Sequence, residues 1–497
     1  MVAHDILTGD RRRAGARAAI VIALALAGAS RLSAQIPAAE YSDRRTALAA
    51  RIENGVVVAL GGRTPVQDYG TFFQLPAFHY LTNCDEPDAA FVMVVRRNHA
   101  TSTLFLTPIN PRTAFYYGQR ADSGTAMRDF GIPARSFSAL GSVLDSLASV
   151  GLPFYTLADF EDADFAGADS LTRGQLLIKG LALKHAGLSV RDAHPLVSVL
   201  RAKKSPAELA LLKKAAEISA EGHRAAMLTA NPAHEYELRA ALEYTFAKLG
   251  AERPAYGSIV GAGVNGTQLH YMKDTAAVKP GDLVVMDAAA EFHGYAADIT
   301  RTIPVSGSYS PEQRQIYQLV RDAQAAAERN SKPGMRASTA EDSSYIVRAR
   351  GLAALGLIES EDATLDPPWN TNCGPRIQSC QQAYFWTIHG ISHGLGLAVH
   401  DPVQAYFGDR TYQVGDAFTI EPGIYISTRA LASLPDTPRN RAFIAKVRAT
   451  VLRYENTGVR IEDDYIITEQ GLERISLAPR EIAEIEALMK QRPRVQP

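Results

Sequence analysis

Leu283-Val284-Val285-Met286-Asp287, Glu291-Phe292-His293-Gly294 and Ala297-Asp298-Ile299-Thr300-Arg301-Thr302 follow one another in one stretch of the chain. The outer runs read as strands and the middle one as a hairpin loop. A hairpin symmetric about Phe292/His293 sets Asp287 directly opposite Asp298. Carboxylates facing each other across a ladder repel, so a buried pair must share a proton or hold a cation. An isolated pair of this kind is better explained by a shifted register that leaves both in water. The neighbouring segments change that balance.

Ala417-Phe418-Thr419-Ile420-Glu421 is an apolar strand that also ends in a carboxylate, before Pro422-Gly423. In Gly458-Val459-Arg460-Ile461-Glu462-Asp463, alternation turns Val459 and Ile461 to one face and Arg460 and Glu462 to the other. A core-facing Glu462 needs a partner, and Arg460 could supply it as an ordinary salt bridge. Between His389 and Asp401 stand His389, His393 and His400 with Gly390, Gly394 and Gly396. The His389/His393 spacing fits a helical zinc pair, yet the glycines oppose a helix and the glutamate of that motif is missing. Histidines among glycines, where backbone can approach closely, read as a site. Four carboxylates with one histidine suit a pair of divalent cations such as manganese better than a structural zinc. Two such ions about 3.5–4 Å apart would activate a water and polarise a carbonyl together.

The surrounding chain frames this cluster. Its 497 residues exceed one core. From about 40 to 200, strand-like Val56–Leu60, Ala90–Val95 and Leu104–Leu106 alternate with helix-like Phe137–Leu147, an α/β pattern without a catalytic motif. A boundary follows near Arg201–Lys204. Ser205-Pro206-Ala207-Glu208 and Ser310-Pro311-Glu312-Gln313 are capping boxes that open helices. Further helices are expected over about Glu235–Leu249 and Thr339–Leu357. Helices on one side of an antiparallel sheet make the second part α+β. The expected division is 1–34, 36–200 and 201–497.

Arg11, Arg12, Arg13 and Arg17 precede the apolar stretch Ala18–Ala29 and the small residues Ser33 and Ala34. This is the layout of a secretory signal peptide, too short for a membrane span. The expectation is an exported protein, periplasmic or secreted. In that oxidising setting Cys373 and Cys380 can staple the segment Pro367–Gln382, which leaves Cys84 as a buried small hydrophobe. A net charge of -1 gives no reason to expect nucleic acid or an anionic membrane as partner.

These residues resemble the proline-specific metallopeptidases of the pita-bread fold, and specifically the aminopeptidase P (Xaa-Pro aminopeptidase) family. The matching stretches are Tyr256–Gly261 through His270-Tyr271, Asp287–Thr302, His389–Asp401, Glu421–Tyr425 and Arg460–Asp463, with Phe78–Thr82 in the first domain. The resemblance implies a curved antiparallel sheet covered by helices, and peptides with proline in second position as substrates. It implies metal ligation by Asp287, Asp298, His393, Glu421 and Glu462. Glu421 would carry the proton, His400 would stabilise the oxyanion, and His270 would support catalysis. His389 and Arg460 would shape the proline end, and the protein would be a homo-oligomer. Ala77 and Asn83-Cys84 depart from the family pattern. Ile358–Tyr384 and Ser427–Tyr454 are longer than usual and are expected to rim the entrance. An Xaa-Pro dipeptidase is the enzymatic alternative, and a metal-free peptide-binding relative the non-enzymatic one. The intact ligand set speaks against the latter.

Overall fold

Apolar runs in the first part of the chain assemble a six-stranded mixed sheet. Its strands are β1 (Gly55–Leu60), β2 (Ala90–Arg96), β3 (His99–Leu106), β4 (Ala134–Ser136), β5 (Phe154–Thr156) and β6 (Val190–Asp192), in the order β4-β3-β2-β1-β5-β6. Val56, Val58, Val92 and Phe105 pack against Leu140 and Leu144 of the helix Leu140–Ala148. The computed structural model describes residues 35–65, 70–108, 110–157, 173–229, 231–369, 373 and 378–493. The expected signal segment lies outside them. From Pro37 onward the chain forms one compact unit.

Four helices dominate the second part: α1 (Pro206–Leu228), α2 (Glu235–Lys248), α3 (Pro311–Asn330) and α4 (Ala337–Ala354). Both capping boxes close as expected: Ser205 accepts from Glu208 N and Ser310 from Gln313 N, while each partner side chain reaches back. α4 stops short of the expected Leu357 because Gly356 turns left-handed at φ 75°. Against the helices lie small antiparallel sheets. β7 (Arg253–Pro254), β10 (Ala290–Phe292) and β11 (Tyr295–Ala296) form one, β8 (Ile259–Ala262), β9 (Leu283–Asp287) and β12 (Thr300–Pro304) a second, and β13 (Ala417–Ile420), β16 (Asp463–Thr468) and β17 (Gly471–Arg474) a third. β14 (Gly423–Ile426) pairs with β15 (Thr457–Arg460). Leu242, Phe246, Met286, Val320, Ile424 and Ile461 share the common core.

One sequence expectation is corrected by register. Asp287 pairs with Thr300, not with Asp298, and Phe292 pairs with Tyr295. The hairpin therefore turns on His293-Gly294, both at positive φ (50° and 78°), as a two-residue turn that follows strand twist requires. Asp298 lies just before β12, and its backbone N–H donates to the Asp464 carboxylate at 3.1 Å.

The two long segments are placed largely by contacts with each other. Ile358–Tyr384 and Ser427–Tyr454 contribute no described residue to the catalytic cavity. They pack on each other instead: Asp366 accepts from the Thr437 hydroxyl at 2.6 Å and exchanges backbone–amide bonds with Asn440. Leu365, Phe443, Val447 and Val451 are buried and tie both segments to the common core. Cys373 and Cys380 are disulfide-bonded within the first of them, and Cys84 is free and buried.

Candidate active site

Each functional side chain is placed by a strand or by a segment tied to one. The glycine-rich run His389–His400 is not helical, and its backbone lies along β13. Thr419 N–H donates to His393 O at 2.9 Å, Glu421 N–H to Ile391 O at 2.8 Å, and Leu395 N–H to Ala417 O at 2.9 Å. This pairing brings His393 beside Glu421. A Cβ on Gly394 would collide with the Asp401 carbonyl oxygen, which is why the run needs glycine there.

All nine residues expected at the site, Glu421 carrying two of the ten assigned roles, line one cavity of about 510 Å³. Asp298, His393 and Glu462 each offer a ligand atom within 4.8 Å of the others. His393 Nε2 stands 3.5 Å from Asp298, 3.4 Å from Glu421 and 3.8 Å from Glu462. Its Nδ1 lies 3.1 Å from Gly394 O. Donation of Nδ1–H there leaves the Nε2 lone pair directed at the carboxylates. Glu462 accepts from Thr300 Oγ1 at 2.7 Å through one oxygen, while its other oxygen is buried with no hydrogen-bond partner among the described residues.

Among the described residues Arg460 forms no ion pair with Glu462, although its charge acts on that carboxyl from a distance. It pairs with Asp287 at 2.5 Å and donates to the Tyr425 hydroxyl at 2.8 Å, because Thr302 fixes its backbone from both sides. Burial, and then the charge of Asp287, push the Asp298 carboxyl up. Burial and then Asp298 push Glu462 well up. Glu421 rises to about 7 through burial, opposed by His393 and aided by Asp298. Burial alone would lower His393, but hydrogen bonding to Asp298 and the charge of Glu421 carry it to about 9. An orphaned buried carboxylate oxygen among mutually repelling carboxylates is a donor set that fits divalent cations.

Two tyrosines went unassigned in the sequence. Tyr256 donates its hydroxyl toward Asp287 and Asp298, at 2.5 Å from each. The Tyr425 hydroxyl stands 2.8 Å from His389 Nε2 and links it to Arg460. Both lie in motif stretches, and parity along β14 places Tyr425 on the face of Gly423, whose missing side chain makes room for the hydroxyl. Burial and then Arg460 lower His389 to about 3. Burial and then His393 lower His400 to about 4; its ring stacks on His393 at 4.0 Å. His270 also lines the cavity.

Behind His400, Asp401 is buried against Arg201 and Lys204, the latter at 2.7 Å. Lys204 also donates to Pro402 O at 2.7 Å, so residues preceding α1 clamp the His400 loop. Lys204→Met is expected to cost about 1–3 kcal/mol, as a buried charge loses a partner. The measurement is a melting curve beside kcat: a drop in kcat at unchanged metal content is expected, and wild-type values for both would dismiss the clamp.

Strand-borne carboxylates and one imidazole gathered in an open cavity define a metal-dependent hydrolase. The sequence matches "Metallopeptidase family M24" over residues 210–469 and "Aminopeptidase P, N-terminal domain" over 41–152. The chain belongs to metallopeptidase family M24. The Xaa-Pro aminopeptidase of Haemophilus influenzae is 33% identical over 466 residues, 92% of this chain and 98% of that protein. The Escherichia coli Xaa-Pro aminopeptidase is 32% identical over 470 residues, again 92% and 98%. Among solved structures, zinc-substituted E. coli aminopeptidase P in complex with product superposes with a TM-score of 0.75 at 29% identity, covering 93% of this chain and all of that one. Proline aminopeptidase P II from Yersinia pestis gives 0.75 at 28% identity, covering 92% of this chain and 100% of that one. The α/β domain followed by a pita-bread catalytic domain is thus the fold expected from sequence.

Proposed function

We propose that this protein hydrolyses the peptide bond between an N-terminal residue and a following proline. The orphaned Glu462 oxygen beside Asp298 and His393, on an M24 fold, is the observation that carries this reading. Asp287, Asp298, His393, Glu421 and Glu462 would hold two divalent ions, and the oxygen-rich donor set favours manganese. When bound, such ions polarise the scissile carbonyl and make hydroxide available at neutral pH.

The chain's own residues supply the rest. Asp287 receives the substrate's free amine, which restricts cleavage to the first residue. Glu421, whose carboxyl sits near 7, takes a proton and returns it to the leaving nitrogen. His400, neutral at working pH, donates to the developing oxyanion, and His270 supports it. His389, Arg460 and Tyr425 form the proline end. Proline lacks an N–H and has fixed φ, so a rigid wall selects it by shape.

Export is part of this reading, supported by the basic-then-apolar N-terminus and by a disulfide suited to an oxidising compartment. Among the described residues, no helix is long and apolar enough to cross a membrane. Homo-oligomerisation is proposed too, supported by the exposed Phe115, Tyr116 and Tyr117. The division near residue 200 stands as part of the same proposal.

The test is hydrolysis by metal-stripped protein with manganese, cobalt or zinc restored. Stripping is expected to abolish turnover, and manganese to restore it most fully. An Xaa-Pro-Xaa tripeptide should be cleaved faster than the Xaa-Pro dipeptide. The reverse preference would identify a dipeptidase, and undiminished activity without metal would remove the whole reading.

A further inference from the structure

Sulfur chemistry sets one side chain of the active cavity apart. Met272 lines that cavity and is 59% exposed. Met127 is the other strongly exposed methionine among the described residues, and it lies on the short helix Ala126–Phe130, outside the cavity. Met93, Met227, Met286 and Met489 are buried, and Met335 packs against a buried cluster. Cys84 is buried as well, its thiol pushed up to about 12 by burial, while Cys373 and Cys380 are bonded to each other. Among the described residues, Met272 is therefore the only sulfur in the active cavity that solvent reaches.

Its backbone is fixed although its side chain is open. Just before it, the Tyr271 hydroxyl donates to Glu235 at 3.0 Å; just after it, the buried Asp274 accepts from Val260 N–H at 3.1 Å. The thioether lies over Gly257, where a Cβ would stand 2.9 Å from Sδ. Gly257 follows Tyr256, whose hydroxyl donates to Asp287 at 2.5 Å. Met272 thus covers the cavity beside the carboxylate proposed to receive the substrate's amine, and Ile259, Leu269 and Val399 continue the apolar lining. A flexible, polarisable thioether packs on apolar groups of differing shape.

We propose that Met272 is a reversible oxidation site through which hydroperoxides set the enzyme's choice of first residue. With hydrogen peroxide as oxidant, an S–O bond forms as the O–O bond breaks. Sulfur loses two electrons, and the second oxygen leaves with both protons as water. The sulfoxide is polar and chiral. Its oxygen keeps water over Gly257, so a lining that favoured an apolar first side chain loses that preference. A methionine sulfoxide reductase reverses the step. The effect on selectivity rests on the substrate orientation proposed above; the oxidation site itself does not.

The experiment treats metal-stripped protein with hydrogen peroxide in the presence of chelator, removes both, and restores manganese. Peptide mass spectrometry and turnover of Leu-Pro-Ala and Gly-Pro-Ala are then measured. Met272 and Met127 should each gain one oxygen before any buried methionine does. The ratio of kcat/KM for Leu-Pro-Ala to that for Gly-Pro-Ala should fall by about three- to tenfold, the scale of one or two methylene contacts. Treatment with the reductase should restore it. Met272→Leu should keep its own ratio through peroxide, and Met127→Leu should lose it as wild type does. An unmodified Met272 in protein whose Met127 is oxidised overturns the site. A ratio that stays constant with Met272 oxidised, or falls equally in Met272→Leu, overturns its control of selectivity. If neither peptide is cleaved before treatment, the proposed activity has failed. Mass spectrometry then still decides the oxidation site, and calorimetric binding of the two peptides decides the selectivity.

Discussion

Glu421→Gln is expected to lower kcat on an Xaa-Pro-Xaa peptide by about 100- to 10,000-fold while making the metal-free protein more stable. The loss follows from the roles proposed for Glu421, proton carrier and anionic metal ligand at once. The gain follows from the cluster's charge. Burial, with Asp298 adding to it, carries the Glu421 carboxyl from 4.5 to about 7. Between those values the folded protein holds more protons than the unfolded chain, so stability falls as pH rises. His393, raised from 6.5 to about 9, has the same sign: its contribution is complete below 6.5 and disappears through about 9. Metal-free protein should therefore lose stability steadily from mildly acid to alkaline pH. Bound cations reverse the slope, because they require the deprotonated ligands. The amide, which carries no charge, removes the Glu421 part of the apo slope. Melting curves of stripped and reloaded protein across pH, for wild type and variant, make the comparison. Full turnover in the variant, or an apo melting temperature that climbs with pH, would show that Glu421 is misassigned.

The parts of this site legible in sequence were those fixed by local rules. Capping boxes at Ser205 and Ser310 marked helix starts because a side chain and a backbone N–H only three residues apart settle the geometry. Strand-end carboxylates at Asp287 and Glu421 were visible because an apolar run ending in a charge is a local pattern. Pairing across strands was less visible. Symmetry about Phe292/His293 misplaced Asp298 because the turn hinges on a left-handed His293, a conformation the side chain does not announce. The partner of Arg460 stayed open for a related reason. The alternation of β15 gives its face, but the choice between Glu462 and Asp287 depends on β12 and its threonines, distant in sequence. Tyr256 and Tyr425 acquire roles only once three strands converge. Length alone did not show that the two long segments anchor in the core through Leu365 and Phe443.

Arg301 carries the other large expected effect, and it is one of stability. The side chain is fully buried and makes five hydrogen bonds: to Pro479 O, Thr300 O, Glu462 O, Ala478 O and the Asp463 carboxylate, the last at 2.6 Å. It stands behind the carboxylate–imidazole cluster and joins the segment that carries Asp298 to the one that carries Glu462. Arg480 shares Asp463 at 2.9 Å. Burial would raise the Asp463 carboxyl, yet Arg301 and Arg480 hold it at about 2. Arg301→Met removes one cation from a buried network and strands carbonyl oxygens that water cannot reach. The expected cost is about 3–5 kcal/mol, read from denaturant unfolding of the metal-free protein. Asp463→Asn in the same chain should return part of that cost, because the carboxylate no longer lacks its cation; a double-mutant cycle measures the coupling. Metal binding should weaken with Arg301→Met as well, since the strands bearing Asp298 and Glu462 lose their common tie. Titration calorimetry with manganese reads that separately from turnover. Additive losses in the cycle, with metal affinity at the wild-type value, would mean that Arg301 only fills space behind the site.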